Sequence, residues 1–563
     1  MLLCLVIFVR SFRGVIVPIL ATVGGIVCVL GYSSLLGVKS NTTMLALPVL
    51  LGMALSVGYS IHYINEFRLH FRNTGKRKES VIKAVEETGW PILFTVITTM
   101  ASMISFMTVG IGELKWVGGI CSAIVFATYL YVIILIPIFM SYTPSVFFRH
   151  SPFCNRHSLL SNGDNKKNIV EKHAAKYTKA DMFFERFGEA VANRKWLIAG
   201  VSAAIIALCL PWCFRLTVNM DYVEMMGNKV PYVERLLSVL SGKLGSLYSY
   251  DVMISYDDSD AFKSAEKMKN LEALEEKLGK LKLTKISGGK PRVTSACQML
   301  KEINRMFNGD DIAFYSLSDD DAVTAQYLVL YSENFEDWFD TASDDFGTTH
   351  IHVELAGYDA NVIVSDIEGA KSSAKELFPD AKISIVGEVV EYAEMNHKLV
   401  SAELKSFSLS FVIIAILLIL AFSSLGTGLI GMIPNLAPVI VVGGVMGYAG
   451  YSLDMLTMTI MPMILGIAVD DTIHLINHIK LQLEKNGDYK EAVVISFREI
   501  GKTMGMTTFI LCAMFFMYTF SPMGCLFRIG ILAMIGLSSA LLADYTLTPA
   551  LIALTKPFGK KIK

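Results

Sequence analysis

Charge is what this 563-residue sequence has little of. Only 18% of its residues are Asp, Glu, Lys or Arg, and 50 basic against 51 acidic side chains leave a net charge of −1. With 53% hydrophobic residues and a mean hydropathy of +0.49, the composition excludes an ordinary soluble protein and points to many membrane spans. A net charge so close to zero supports no nucleic-acid partner. Cysteine is nearly absent from the long polar block. Cys297 alone lies there, so that block has no internal disulfide and depends on a core. No phosphate-cradling glycine loop precedes a helix, which leaves direct ATP use unsupported, and no Cys/His spacing marks a metal centre. His350 and His352 share one face of a predicted strand, but two ligands alone read as a surface pair. Neither a cofactor nor an enzyme activity is expected. The apolar stub 1–9 lacks a basic start and a small-residue cleavage site, and it runs into Arg10 and Arg13, so it does not read as a signal peptide.

Long apolar runs are what the sequence has in quantity. About 20 such residues cross the hydrocarbon, and runs of that kind cover 14–37, 42–66, 89–112, 116–141, 196–215, 402–422, 427–450, 455–478, 502–521 and 527–554. Arg10 and Arg13, the loop RLHFRNTGKRK (68–78), the segment 144–195 and the tail KPFGKKIK carry the excess of Lys and Arg. Basic loops stay on the cytoplasmic side, so the polar, acidic block 217–400 falls outside. Strands are predicted near 250–258, 325–331, 349–355 and 383–388, and helices over 261–281 and 364–378, a pattern of two small split-βαβ units. The expected division is a partial first membrane repeat (1–143), a linker (144–195) that is polar and irregular to about 180, a single helix (196–216), an outside α/β domain (217–400), a second membrane repeat (401–556) and a basic tail (557–563).

The repeat shows as an alignment without gaps. Shifted by 412 positions, His62 falls on His474, Asn65 on Asn477, Gly75 on Gly487, Glu87 on Glu499, Thr95 on Thr507, Gly118 on Gly530 and Pro137 on Pro549. Chance aligns apolar residues readily, but not His, Asn, Glu, Gly and Pro at one fixed offset. Two same-orientation repeats imply a pseudo-two-fold axis along the membrane normal, an arrangement found in transporters. Met1 aligns with Ile413, inside a helix that begins near 402, so the first half is expected to lack about half of that helix, together with any match to the helix 196–215 and its outside domain, as in a truncated or mis-started longer chain.

The stretch GIAVDDTIHLINH (466–478) sets Asp470 and Asp471 in the middle of an apolar run, with His474 one turn beyond. This run, the duplicated helices and LTPAL (547–551) resemble the resistance–nodulation–division superfamily, most closely its branch of lipid and hydrophobe exporters related to the mycobacterial large membrane proteins. The resemblance implies a polytopic α-helical membrane protein with two parallel pseudo-symmetric repeats and an extracytoplasmic ferredoxin-like porter domain. It implies a multi-pass protein of the cytoplasmic (inner) membrane that exports lipids or other hydrophobic molecules on the proton-motive force. Membrane lipids, a hydrophobic substrate, protons and a periplasmic or outer-membrane protein are the partners it implies. The first half departs from the branch's pattern of an Asp-Tyr pair in each half. Its equivalent reads VGYSIHYIN (57–65), with Gly58 opposite Asp470 and Tyr59 opposite Asp471.

An ionised acid at the bilayer centre costs about 2.5–3.5 kcal/mol. Burial and a like neighbour both disfavour charge, so at least one of the two acids is expected to hold a proton part of the time. They would titrate as a coupled unit. Adjacent helical residues point about 100° apart. Asp470 therefore shares its face with His474 and is expected to meet the first repeat, while Asp471 turns to a neighbouring helix where Thr507 and Thr508 are candidates. The expected proton relay is Asp470, Asp471, Tyr59, His474 and His62, supported by Ser60, Thr507, Thr508 and Asp544, the last read as a structural partner. A polar clamp or a sodium site remains an alternative for the acids, and plain helix packing for the histidines. A sterol-sensing-like receptor on the same scaffold is the alternative function. A protein-export accessory is disfavoured, because such relatives carry one repeat per chain.

Overall fold

Within hydrocarbon every backbone N–H and C=O must find its partner inside the chain, so long apolar runs become helices. The computed structural model describes residues 2, 5–6, 12–39, 44–141, 179–219, 222–241, 245–454 and 456–559. Ten helices among these are long and apolar enough to cross a membrane. The first half contains α1 (Phe12–Leu35), α2 (Ala46–Thr74), α3 (Arg77–Ile104) and α4 (Gly112–Ser141). The irregular linker expected at 144–180 falls almost wholly outside the described residues. Two helices follow, α5 (Lys179–Asn193) and α6 (Lys195–Cys213).

The chain divides into two compact units, Val218–Val400 and the remainder. In the smaller unit α7 (Tyr222–Met226) and α8 (Pro231–Ser241) precede β1 (Ser249–Ser255), α9 (Ala265–Leu278), β2 (Ile286–Ser287), β3 (Lys290–Pro291), β4 (Val293–Thr294), α10 (Ala296–Phe307), α11 (Asp321–Leu330), β5 (Thr348–Glu354), α12 (Ala360–Leu377) and β6 (Lys382–Val386). The main sheet has the order β4-β5-β1-β6, antiparallel throughout. With α9 between β1 and β4 and α12 between β5 and β6, the two expected split-βαβ units interlock in one ferredoxin-like sheet. The strand expected at 325–331 is helix α11. An isolated apolar run such as AQYLVL fits either state. Asp320 decides it, because its carboxylate accepts from the Ala322 amide (2.8 Å) and caps a helix. Strand alternation points Tyr250, Val252, Ile254, Ile351 and Val353 onto Met268, Leu271, Leu274 and Leu278 of α9, and that apolar core holds the unit.

The second half has α13 (Glu388–Phe422), α14 (Leu425–Ala449), α15 (Ile460–Asn486), α16 (Tyr489–Ser496), a π-helical turn (Phe497–Gly501), α17 (Lys502–Phe516) and α18 (Gly524–Thr555). The 412-residue offset carries element ends onto element ends. Both central helices stop at a left-handed glycine, Gly75 (φ 65°) and Gly487 (φ 71°). Each following helix passes into a short 3₁₀ turn, Ser105–Thr108 and Met517–Phe520. One difference stands out: α3 is continuous, whereas its counterpart is interrupted by the π turn. Small residues let helices approach closely, as a Cβ on Gly444 would lie 2.7 Å from that of Cys209 and one on Gly447 would collide with the Trp212 carbonyl.

Candidate functional site

The two halves meet across α15 and α3, and across α17 and α2. Gly466 makes the first contact possible, since its bare Cα admits Thr99, whose hydroxyl donates to the Gly466 carbonyl (3.0 Å). Ser102 likewise donates to the Pro462 carbonyl. At the second contact Asn65 donates to Thr503 (3.1 Å). Asp470 and Asp471 follow Gly466 by one turn and so arrive at the interface between halves.

The acids point as the 100° helical step requires. Asp471 accepts from Thr508 of α17 (3.2 Å). Asp470 lies 3.4 Å from the His474 Nε2, too poorly aligned for a hydrogen bond, and faces Tyr59 and Thr95 of the first half. His474 stacks on His62, its own counterpart in the repeat, with centroids 4.3 Å apart and planes at 5°. The Tyr59 hydroxyl, an Asp470 carboxylate oxygen and the Nε2 atoms of His62 and His474 have no hydrogen-bond partner among the described residues. No Lys or Arg among the described residues forms an ion pair with Asp470, Asp471 or Asp544.

A small cavity adjoins the acids. It offers about 20 Å³ to the centres of water-sized molecules and is lined by Gly58, Asp470, Asp471, Thr507 and Thr508. That suffices for about one water. Gly58, where the first half has no acid, opens onto free space on the side where a Cβ would project.

Other expected residues direct their hydrogen bonds elsewhere. Thr507 donates within its own helix to Met504 (2.8 Å), and Ser60 donates to the Ser56 carbonyl (2.6 Å). Asp544 is buried and accepts from Thr472 (2.7 Å) and Thr548 (2.8 Å), a satisfied polar knot between α15 and α18. Thr95 and Thr472 were not anticipated, although the repeat alignment pairs Thr95 with Thr507.

A second group was missed altogether. One and two turns beyond the histidines, His70 lies 3.2 Å from Glu66 and 3.0 Å from Glu87. In the other half His478 lies 3.2 Å from Glu499, which also accepts from Gln482 (3.2 Å). Glu66, His70 and Glu87 are the described group whose ligand atoms lie close enough together, within 4.8 Å, to hold a metal ion. Spacing was the available signal: Asp470, His474, His478 and Gln482 follow one another at intervals of four.

The sequence profile of the MMPL family matches residues 1–175 and 318–562. A membrane protein of Methanocaldococcus jannaschii is 29% identical over 167 residues, which is 29% of this chain and 43% of that protein, so the chain spans less than half of that relative. Among solved structures, the hedgehog release protein Disp of the water bear Hypsibius dujardini aligns with a TM-score of 0.68. That alignment covers 98% of this chain and 68% of the other at 12% identity, a likeness of fold.

Proposed function

Because this chain belongs to the MMPL family, within the resistance–nodulation–division superfamily whose fold it shares, we propose that it is a proton-driven exporter of lipids or other hydrophobic molecules. Asp470 and Asp471 are its proton-binding pair. One observation supports this reading: two adjacent carboxylates line a water-sized cavity at the interface between the halves, with no Lys or Arg among the described residues paired to them. A carboxylate fixed by Arg or Lys keeps its charge. One without such a partner in a poorly solvated site gains or loses a proton as its surroundings change. Tyr59, Thr95 and His62 come from the opposite half, so a change in the charge of Asp470 alters the attraction between halves. The drive is about 2.3 kcal/mol per charge per 100 mV plus about 1.4 kcal/mol per pH unit. The cytoplasmic membrane is where such a gradient acts, with the block 217–400 on its outer side.

The test is transport of a labelled lipid by reconstituted full-length protein under an imposed proton gradient. Asp470→Asn preserves the hydrogen-bonding shape but not the titration. It should abolish gradient-dependent transport, by a factor of 100 or more, with insertion and thermal stability unchanged. Transport retained in this variant removes the proposal. A receptor on the same scaffold would instead bind lipid equally well with and without an uncoupler.

A further inference from the structure

The central helices α2 and α15 touch through the His62–His474 stack, and the positions in line with that stack are filled at intervals of four on each. On α15 these are Asp470, His474, His478 and Gln482, and at the matched positions of α2 stand Gly58, His62, Glu66 and His70. Residues four apart lie on one helix face with Cβ atoms roughly 5–6 Å apart. The neighbouring elements add Glu87 from α3 and its counterpart Glu499 from the π turn. Every step on this face is therefore a group that donates or accepts a proton, Gly58 and Gln482 excepted.

Three observations join these groups into one feature. The first is contact. Asp470 reaches His474 at 3.4 Å, His474 stacks on His62, and below them Glu66, His70 and Glu87 are linked by separations of 3.2 and 3.0 Å, as are His478 and Glu499 at 3.2 Å. Glu66 also faces Glu499 across the two halves, so the lower groups adjoin. The second is a gradient of exposure. The side chains of Asp470 and His474 are 13% and 12% exposed and that of His70 15%, those of Glu66 and His478 23%, and those of Glu499 and Glu87 32% and 56%, so the end groups are the glutamates. The third is the repeat itself. Glu66 matches His478 and His70 matches Gln482, while Glu87 matches Glu499, so an imidazole paired with that glutamate persists in both halves although its position on the helix differs. A π turn, a form frequent at functional sites, carries Glu499 in the second half.

We infer that this column, from Asp470 through the His62–His474 stack to the Glu66–His70–Glu87 and His478–Glu499 groups, is the path by which protons pass between the buried acids and the solution at the basic end of the bundle. The inference rests on the proton reading above. Each transfer moves one proton and no electrons. An imidazole takes a proton on one ring nitrogen as it releases one from the other, and a carboxyl oxygen hands its proton to the next base. One proton entering at Glu87 or Glu499 thus accounts for one arriving at Asp470. His62 to Glu66 and His474 to His478 are single-turn steps, with Cβ atoms roughly 5–6 Å apart. Lys485 and Arg498 stand near Glu499 and hold a positive potential at the mouth.

The experiment is a pH jump on the full chain in vesicles oriented with the Lys76–Lys78 turn toward the medium. Infrared absorption of the Asp470 carboxyl is followed in time and assigned by its loss in Asp470→Asn. The double variant Glu66→Gln with Glu499→Gln should slow protonation of Asp470 at least tenfold while leaving its final extent unchanged. Glu66→Asp with Glu499→Asp should retain the wild-type rate. Adding imidazole to the medium should restore speed to His70→Ala with His478→Ala, which a packing defect would not permit. An unaltered rate in the Gln double variant overturns the path and leaves the exporter reading intact. A wild-type Asp470 band that ignores the jump overturns the proton reading itself.

Discussion

Gly58 sits in mid-helix beside the two acids, with nothing within 4 Å of where its Cβ would be. Gly466 also lies in mid-helix, but its Cβ would come 3.1 Å from that of Ser102. Alanine at either position gains about 0.5–1 kcal/mol of backbone entropy over glycine. At Gly58 nothing opposes that gain, so Gly58→Ala should raise stability by roughly that amount. At Gly466 the overpacking, about 1–3 kcal/mol, exceeds it, and Gly466→Ala should unfold more easily. Thermal unfolding in detergent compares the two variants directly. At this scale the acids, Tyr59 and the paired histidines were legible, because charge in an apolar run and a fixed offset are both sequence properties. Thr95 was not singled out, because its hydroxyl also satisfies the Ile92 carbonyl of its own helix (2.8 Å), a use open to any membrane threonine. Glu66 and His70 were passed over as the end of a span near a basic loop, and only the fold brings Glu87 against them.

Among elements, the long helices followed from run length, but α2 and α15 run past the expected ends at 66 and 478 to stop at Gly75 and Gly487, and α11 did not follow, since the cue lay in one capping aspartate. A second cap has more at stake. Asp454 precedes α15, accepts from the amides of Leu456 (2.9 Å) and Thr457 (2.8 Å), and stands 3.9 Å from Arg528. Burial pushes its carboxyl up, and the donated amides and Arg528 oppose that push. Asp454→Ala removes the acceptor for two otherwise unbonded helix-start amides, a loss of about 1–2 kcal/mol. Hydrogen exchange should show it as faster exchange confined to Leu456 and the 3₁₀ turn Thr457–Thr459 that leads into α15, whereas uniform acceleration along α15 would contradict a capping role.

For the whole molecule, the two units draw on different physics. The membrane unit is assembled by close approach of small residues and interhelical hydroxyls, whereas Val218–Val400 is held by a soluble-type core. Glu275 lies at the edge of that core, where burial pushes its carboxyl from 4.5 up to about 6 against hydrogen bonds from Ser295 and Gln298 and the Lys301 charge. The folded state then binds the proton more tightly than the unfolded chain. The resulting stabilisation is complete below pH 4.5 and is lost as pH rises through 6, for a total of about 2 kcal/mol. Hydrogen exchange of α9 in the full chain, corrected for the intrinsic pH dependence of exchange, should show protection falling over that window and a flat profile in Glu275→Gln.

The stack of His62 on His474 has a mechanical meaning. Two flat rings only 5° from parallel make a slip plane: sliding one across the other keeps dispersion contact, whereas prying them open forfeits it. At the stack the duplicated bundles therefore resist parting more than sliding, whereas the hydrogen bonds from Thr99, Ser102 and Asn65 pin the seam against sliding elsewhere.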